Sequence, residues 1–158
     1  MSSEYRDTLD ALGITVLERG WLSSNNTVVT NGHSAWIIDT GYGSHSAQTV
    51  ELVAQAIGDM PLLGILNTHL HSDHCGGNAA LQVKYPHACI SIPPGQAEHV
   101  RNWNPVQLTY QPTGQQCPTF DYNEILEPGS ELLIGCHTWQ VHTAPGHDPH
   151  AVLLYQPD

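Results

Sequence analysis

The chain has 158 residues with four Lys and Arg against fifteen Asp and Glu, a formal net charge of −11. That length suits one domain with a core of its own, and that charge repels polyanions, so DNA, RNA and anionic lipid surfaces are poor partners. No apolar run reaches the length of a membrane span, and residues 1–7 carry neither the basic nor the apolar region of an export signal.

Four cysteines, Cys75, Cys89, Cys117 and Cys136, follow neither a disulfide nor a zinc-ribbon spacing. Reduced thiols in a cytoplasmic protein are therefore expected. Cys75 adjoins His74 and is the thiol that could be oxidised or meet a metal ion.

Residues 14–18 and 26–30 read as strands, and Asn31-Gly32 as a hairpin turn into a third strand over 34–39. Asp39-Thr40-Gly41 closes it with an acid and a tight turn, a combination that suits turn chemistry and a functional edge equally. Val50, Val53, Ala54 and Ile57 form one apolar helical face, with Ser44 or Ser46 as N-cap and Gly58 as the stop. A buried strand at 61–67, a helix at 78–85 capped by Asn78, and a strand at 88–92 complete an alternating order, which implies parallel strands covered by helices.

Residues 93–121 are broken by prolines, with a helix expected near 96–103. Trp103, Tyr110, Phe120 and Tyr122 suit either a pocket wall or, as the favoured reading, ordinary packing. Residues 124–127, 131–134 and 138–142 read as consecutive antiparallel strands, followed by Pro145-Gly146-His147-Asp148 and a last strand at 151–155.

Chemistry concentrates in Thr68-His69-Leu70-His71-Ser72-Asp73-His74-Cys75-Gly76-Gly77, on the loop leaving the 61–67 strand. In an extended chain His69, His71 and Asp73 face one way and His74 the other; in a helical turn 69 groups with 73 and 71 with 74. Neither arrangement aims all four at one ion. The expectation is two neighbouring positions, one served by His69 and His71, the other by Asp73 and His74. Gly76-Gly77 would let the backbone turn tightly beside them.

This segment resembles the His-x-His-x-Asp-His signature of the metallo-β-lactamase-fold hydrolases. "IDTG" at 38–41 and "APGHD" at 144–148 are similar to two further segments of that family. The resemblance implies an αββα sandwich of two similar halves. It makes Asp39 a support outside the ligand set and His147 the third histidine of the first position. His150 stands where the family often has a small residue, which leaves it as a rim or surface group. The family's second half supplies a bridging aspartate and a last histidine, and those positions fall past residue 158. The chain is thus expected to form the N-terminal half to two-thirds of the fold, incomplete at its C-terminus. Weaker binding at the second position, reduced activity alone, and an exposed sheet face prone to self-association follow.

Three histidines with an open fourth position are a catalytic zinc arrangement, and His69, His71 and His147 would complete it. Asp73 would orient the attacking water or take its proton, and hold a second ion with His74. The expected activity is zinc-dependent hydrolysis of a small ester, thioester, lactone or lactam, using one or two ions. Iron or manganese also suits mixed histidine and carboxylate ligands. An iron-dependent oxidoreductase of the same superfamily and a non-catalytic metal-binding fragment are the alternatives.

Overall fold

A computed structural model describes residues 8–20 and 23–157. The reading of residues 1–7 as free of an export signal lies outside the described residues.

One sheet has the order β1 (Ile14–Leu17), β2 (Asn26–Thr30), β3 (Ala35–Ile38), β4 (Leu62–Leu66), β5 (Cys89–Ile92), β6 (Glu124–Ile125). Its first three strands meander antiparallel, and β3 to β6 run parallel. The parallel part follows from the intervening helices, α1 (Ser46–Ile57), α2 (Ser72–Cys75), α3 (Asn78–Lys84), α4 (Ala97–Arg101) and α5 (Tyr110–Thr113). A second, antiparallel sheet contains β7 (Glu131–Ile134), β8 (His137–Thr143) and β9 (Val152–Tyr155).

Alternation along the strands divides the apolar side chains between two cores. Val28, Ile37, Ile65 and Ile90 face the helices, where Val53, Ile57 and Leu81 meet them. Val29, Leu66 and Leu126 face the other way, onto Ile134, Val141 and Val152 of the second sheet. The layers among the described residues are therefore helices, large sheet, small sheet, the first three of the four layers of the expected αββα sandwich. On the outer side of the small sheet Leu133, Leu153 and Tyr155 are 65%, 44% and 51% exposed, so this sheet has the open apolar face anticipated from the sequence.

Several local expectations need correction. Residues 124–127 do not pair with 131–134. Glu124–Ile125 instead extends the large sheet parallel to β5, and Pro128-Gly129, with Gly129 at φ 90°, carries the chain to the second sheet. Alternation identifies a strand but not its partner. Neither Ser44 nor Ser46 caps α1, whose N-cap is His45 behind a short 3-10 turn. The helix near 96–103 shrinks to α4, while Trp103, Tyr110, Phe120 and Tyr122 pack into or against the helix-side core, the reading favoured from the sequence.

Asn78 begins α3 instead of capping it, and is fully buried. Its amide donates to Asn67 Oδ1 at 2.7 Å and its Oδ1 accepts from Thr40 Oγ1 at 2.8 Å. It thereby ties the ends of β3 and β4 to one helix. Asn78→Ala would leave two buried polar groups short of a partner, at a cost of about 3 kcal/mol. Urea unfolding of the two proteins checks this; a loss under about 1 kcal/mol would mean that the neighbours re-pair.

Candidate metal centre

Because β3, β4 and β5 are parallel, their C-terminal ends open at one edge of the sheet, the usual place for a site in such folds. Asp39 follows β3, and residues 68–75 follow β4. Asp39 sits at φ 57°, a left-handed conformation costing on the order of 1 kcal/mol for a residue with a side chain. Its carboxylate is held on three sides. Oδ1 accepts from Thr68 N at 2.9 Å, Oδ2 accepts from Thr68 Oγ1 at 2.8 Å, and Oδ2 lies 2.7 Å from His74 Nδ1.

The chain from His71 combines the two geometries considered from the sequence. His71 is extended, and Ser72–Cys75 then makes one helical turn. The rings of His69 and His71 lie 4.8 Å apart, and those of His69 and His74 3.8 Å. Asp73 Oδ2, from the carboxylate expected to share a position with His74, is 3.6 Å from His74 Nε2.

Gly76 and Gly77 do not turn through a left-handed conformation, having φ −63° and −84°. What requires glycine is close approach: a Cβ would stand 2.3 Å from Gly43 N at one and 2.4 Å from Thr40 O at the other. The loop after β3 is thus seated on the end of α2, with Thr40 N donating to His74 O at 2.7 Å.

His147 arrives from the second sheet. Val152 N donates to Thr68 O at 2.8 Å and Ala144 N to Ala151 O at 2.8 Å, so the loop between β8 and β9 is fastened to the first residue of the histidine loop. Its ring lies 4.8 Å from that of His69 and 4.9 Å from that of His71. One ligand atom from each of His69, His71 and His147 falls within 4.8 Å of the others.

Metal coordination fits this donor set for a reason internal to the molecule. His69 is 5% exposed, its Nδ1 is 3.1 Å from Thr68 Oγ1, and its Nε2 is buried with no hydrogen-bond partner. Since the Thr68 hydroxyl donates to Asp39, its oxygen is left to accept from His69 Nδ1–H. That leaves a bare Nε2 lone pair on a ring grouped with the other two imidazoles, which is what an ion would satisfy.

Asp148 was not identified from the sequence. It is 2% exposed, its Oδ2 lies 3.6 Å from His71 Nε2, and its Oδ1 accepts from His150 N at 2.7 Å. Its position next to His147 was the available signal. His150 is exposed, with its ring over Gly95 at the rim of a cleft of about 290 Å³. Cys75 sets its sulfur against Tyr110 and Cys117 and is not part of the three-histidine group.

The family model for the metallo-beta-lactamase superfamily matches residues 19–158. The chain belongs to this superfamily. A lactamase-like protein of Pestalotiopsis microspora is 32% identical over 126 residues, covering 78% of this chain and 32% of the relative. The hydroxyacylglutathione hydrolase of a Synechococcus strain is 31% identical over 112 residues, covering 71% of this chain and 36% of the relative. The metallo-beta-lactamase FEZ-1 of Legionella gormanii superposes with a TM-score of 0.75 at 12% identity, over 91% of this chain and 55% of that one. The chain thus spans about a third of the length of these curated relatives and about half of that solved structure.

Ionisation in this superfamily member follows the burial pattern. Burial, helped by the nearby His74 and His71, lowers the pKa of His69 to about 4, against the pull of Asp39 and Asp148. At His74 burial also works against the charged ring, but the hydrogen bond to Asp39 and the carboxylates of Asp39, Asp73 and Asp148 outweigh it and raise the pKa. The two groups act oppositely on stability. The unfolded chain binds a proton at 69 more readily than the native one, so His69 removes stability as pH falls from about 6.5 towards 4. His74 contributes stability that is present below 6.5 and is lost as pH rises through its raised native pKa. An NMR titration of ring resonances in metal-stripped protein should place the His69 midpoint near 4 and that of His74 above 6.5, with the His74 shift reduced in Asp39→Asn. A His69 midpoint at 6 or higher would mean that this ring is solvated rather than enclosed.

Proposed function

We propose that the protein is a zinc-dependent hydrolase acting on a small substrate with an ester, thioester, lactone or lactam bond. The observation that carries this is the enclosed His69, whose Nε2 has no partner of its own and whose ring lies within ligand reach of His71 and His147. The names of the relatives support the reaction class, since one is a hydroxyacylglutathione hydrolase and another an atrochrysone carboxyl ACP thioesterase of Aspergillus chevalieri.

His69, His71 and His147 would hold the first ion, and Asp73 with His74 a second. Bound zinc supplies Lewis acidity towards water and towards a carbonyl at neutral pH. The protein's part is orientation and proton handling. Asp39 fixes the His74 ring through Nδ1 and leaves Nε2 directed at Asp73. Asp148 places a carboxylate oxygen 3.6 Å from His71 Nε2, an electrostatic rather than a hydrogen-bonded contact, and Thr68 receives His69 Nδ1. Asp73, with its side chain 38% exposed, has access to solvent, so it can orient the attacking water and accept its proton.

Zinc is preferred because three imidazoles with an open fourth position are a catalytic zinc arrangement; imidazole also suits iron, so metal analysis decides between them, while manganese would want more oxygen ligands. The −11 charge favours a small substrate over a nucleic acid. No helix among the described residues is long and apolar enough to cross a membrane, and the free thiols suit a reducing, cytoplasmic setting. The exposed Leu133, Leu153 and Tyr155 make self-association through the outer sheet face an accompanying proposal.

Protein purified without added metal, then analysed for metal and assayed on chromogenic ester, thioester, lactone and cephalosporin substrates, tests the reading. Zinc content with turnover at least a hundredfold above His69→Ala is expected. Iron with oxygen consumption would replace hydrolysis by oxidation, and zinc without turnover above the variant would leave a metal-binding protein only. Asp39→Asn should weaken zinc roughly 10–100-fold in a chelator competition, because the ring of His74 loses its anionic partner. Unchanged affinity would remove Asp39 from the support of the site.

A further inference from the structure

Behind the histidine loop lies a cluster of reactive side chains that hydrolysis leaves unused. Cys75 ends α2 with no exposed surface. Its Sγ is 3.4 Å from His71 O, 3.6 Å from Leu70 O, 3.2 Å from Tyr110 Oη and 3.8 Å from Cys117 Sγ. Tyr110 Oη donates to Leu70 O at 2.8 Å, which fixes it as a wall of this cluster.

Cys117 is only half-buried. It borders an open cleft of about 470 Å³ lined by Pro105, Tyr110, Gln111, Gln115, Gln116 and Pro118, which is the side from which a small solute would approach it. The two thiols differ in setting as well as in access. Cys75 is held in a helical turn, whereas residues 114–117 have no regular structure and are exposed up to Gln116. Sulfurs 3.8 Å apart are in van der Waals contact, and a disulfide needs about 2.0 Å. Closing that gap would fall to the irregular segment, since Cys75 is held in its helical turn.

We propose that Cys75 and Cys117 form a reversible disulfide, with Cys117 as the thiol that meets the oxidant and Cys75 as the one that resolves it. The oxidant is a hydroperoxide. The Cys117 thiolate attacks its terminal oxygen, the O–O bond breaks, and an alcohol or water leaves. Cys75 sulfur then displaces hydroxide from the Cys117 sulfenic acid; the S–O bond breaks, the S–S bond forms, and the hydroxide departs as water with the Cys75 proton. Two thiols give up two electrons and the hydroperoxide takes both. The hydrogen bond from Cys75 holds the Cys117 pKa below its usual value although burial opposes this, which agrees with the order of events.

The bond would join the helical turn bearing Asp73 and His74 to the segment that covers it, across 42 positions of sequence. Such a link constrains the unfolded chain, so the oxidised form should melt several degrees higher. The other two cysteines offer no competing pair among the described residues, since Cys89 lies against Ser91 and Cys136 is exposed.

The test takes the full 158-residue chain, loaded with zinc, through a hydrogen peroxide titration and then non-reducing peptide mass mapping. A Cys75–Cys117 peptide lacking two hydrogens is expected, reversed by dithiothreitol, accompanied by the higher melting temperature, and retained in the double variant Cys89→Ser, Cys136→Ser. Cys117→Ser, on the accessible side, should abolish it and leave Cys75 unmodified. Cys117 carried to the sulfinic acid with Cys75 still free, a linkage through Cys136 alone, or no oxidation of either thiol would each overturn the proposal. None of these readouts depends on turnover or on the identity of the metal.

Discussion

The carboxylate of Asp39 is the constraint on which the site rests. It lies beyond the end of one parallel strand and grips the loop beyond the next, taking the Thr68 backbone N–H, the Thr68 hydroxyl and His74 Nδ1 together. Each of these bonds fixes a different thing. The first sets where the loop leaves β4. The second turns the Thr68 oxygen into an acceptor for His69, and the third sets the tautomer and tilt of His74. A charged acceptor gives the stronger class of hydrogen bond, which explains how the left-handed backbone at Asp39 persists.

The second requirement is that two sheets agree on one position. His147 is 73 residues beyond His74, in a loop between two strands of the other sheet, yet its ring lies within 5 Å of two histidines of the first loop. Side-chain packing between the sheets alone could slip by a fraction of an ångström. The backbone bond from Val152 N to Thr68 O removes that freedom, because it joins the start of β9 to the residue that already answers to Asp39. The third imidazole is thus indexed to the first through one peptide group.

Much of this was legible in the sequence for a physical reason. The hydrophobic periodicity that defines β2 to β5 and α1 is local, and His69 and His71 stand out by their clustering, whereas His147 is singled out only by the resemblance of its segment to the family. Pairings between segments are not local, and there the sequence was silent. Glu124–Ile125 had the alternation of any strand, and nothing in it distinguished a parallel place beside β5 from a hairpin with β7. Asn78 looked like a cap because caps and buried cross-links use the same amide. Asp148 looked like part of a turn because its partner, His71, is 77 positions away.

The same distinction explains what the double glycine is for. Read locally, Gly76-Gly77 suggests conformational freedom, but both residues have ordinary helical φ values. Their requirement comes from outside the segment, where Gly43 N and Thr40 O occupy the space that a Cβ would fill. Removing both methyl groups lets the Asp39 loop descend onto α2 far enough for Thr40 N to reach His74 O. A side chain at either position would lift that loop, and with it the carboxylate that orients His74. The glycines and Asp39 are therefore one device: the first permits the approach, and the second uses it to hold an imidazole still.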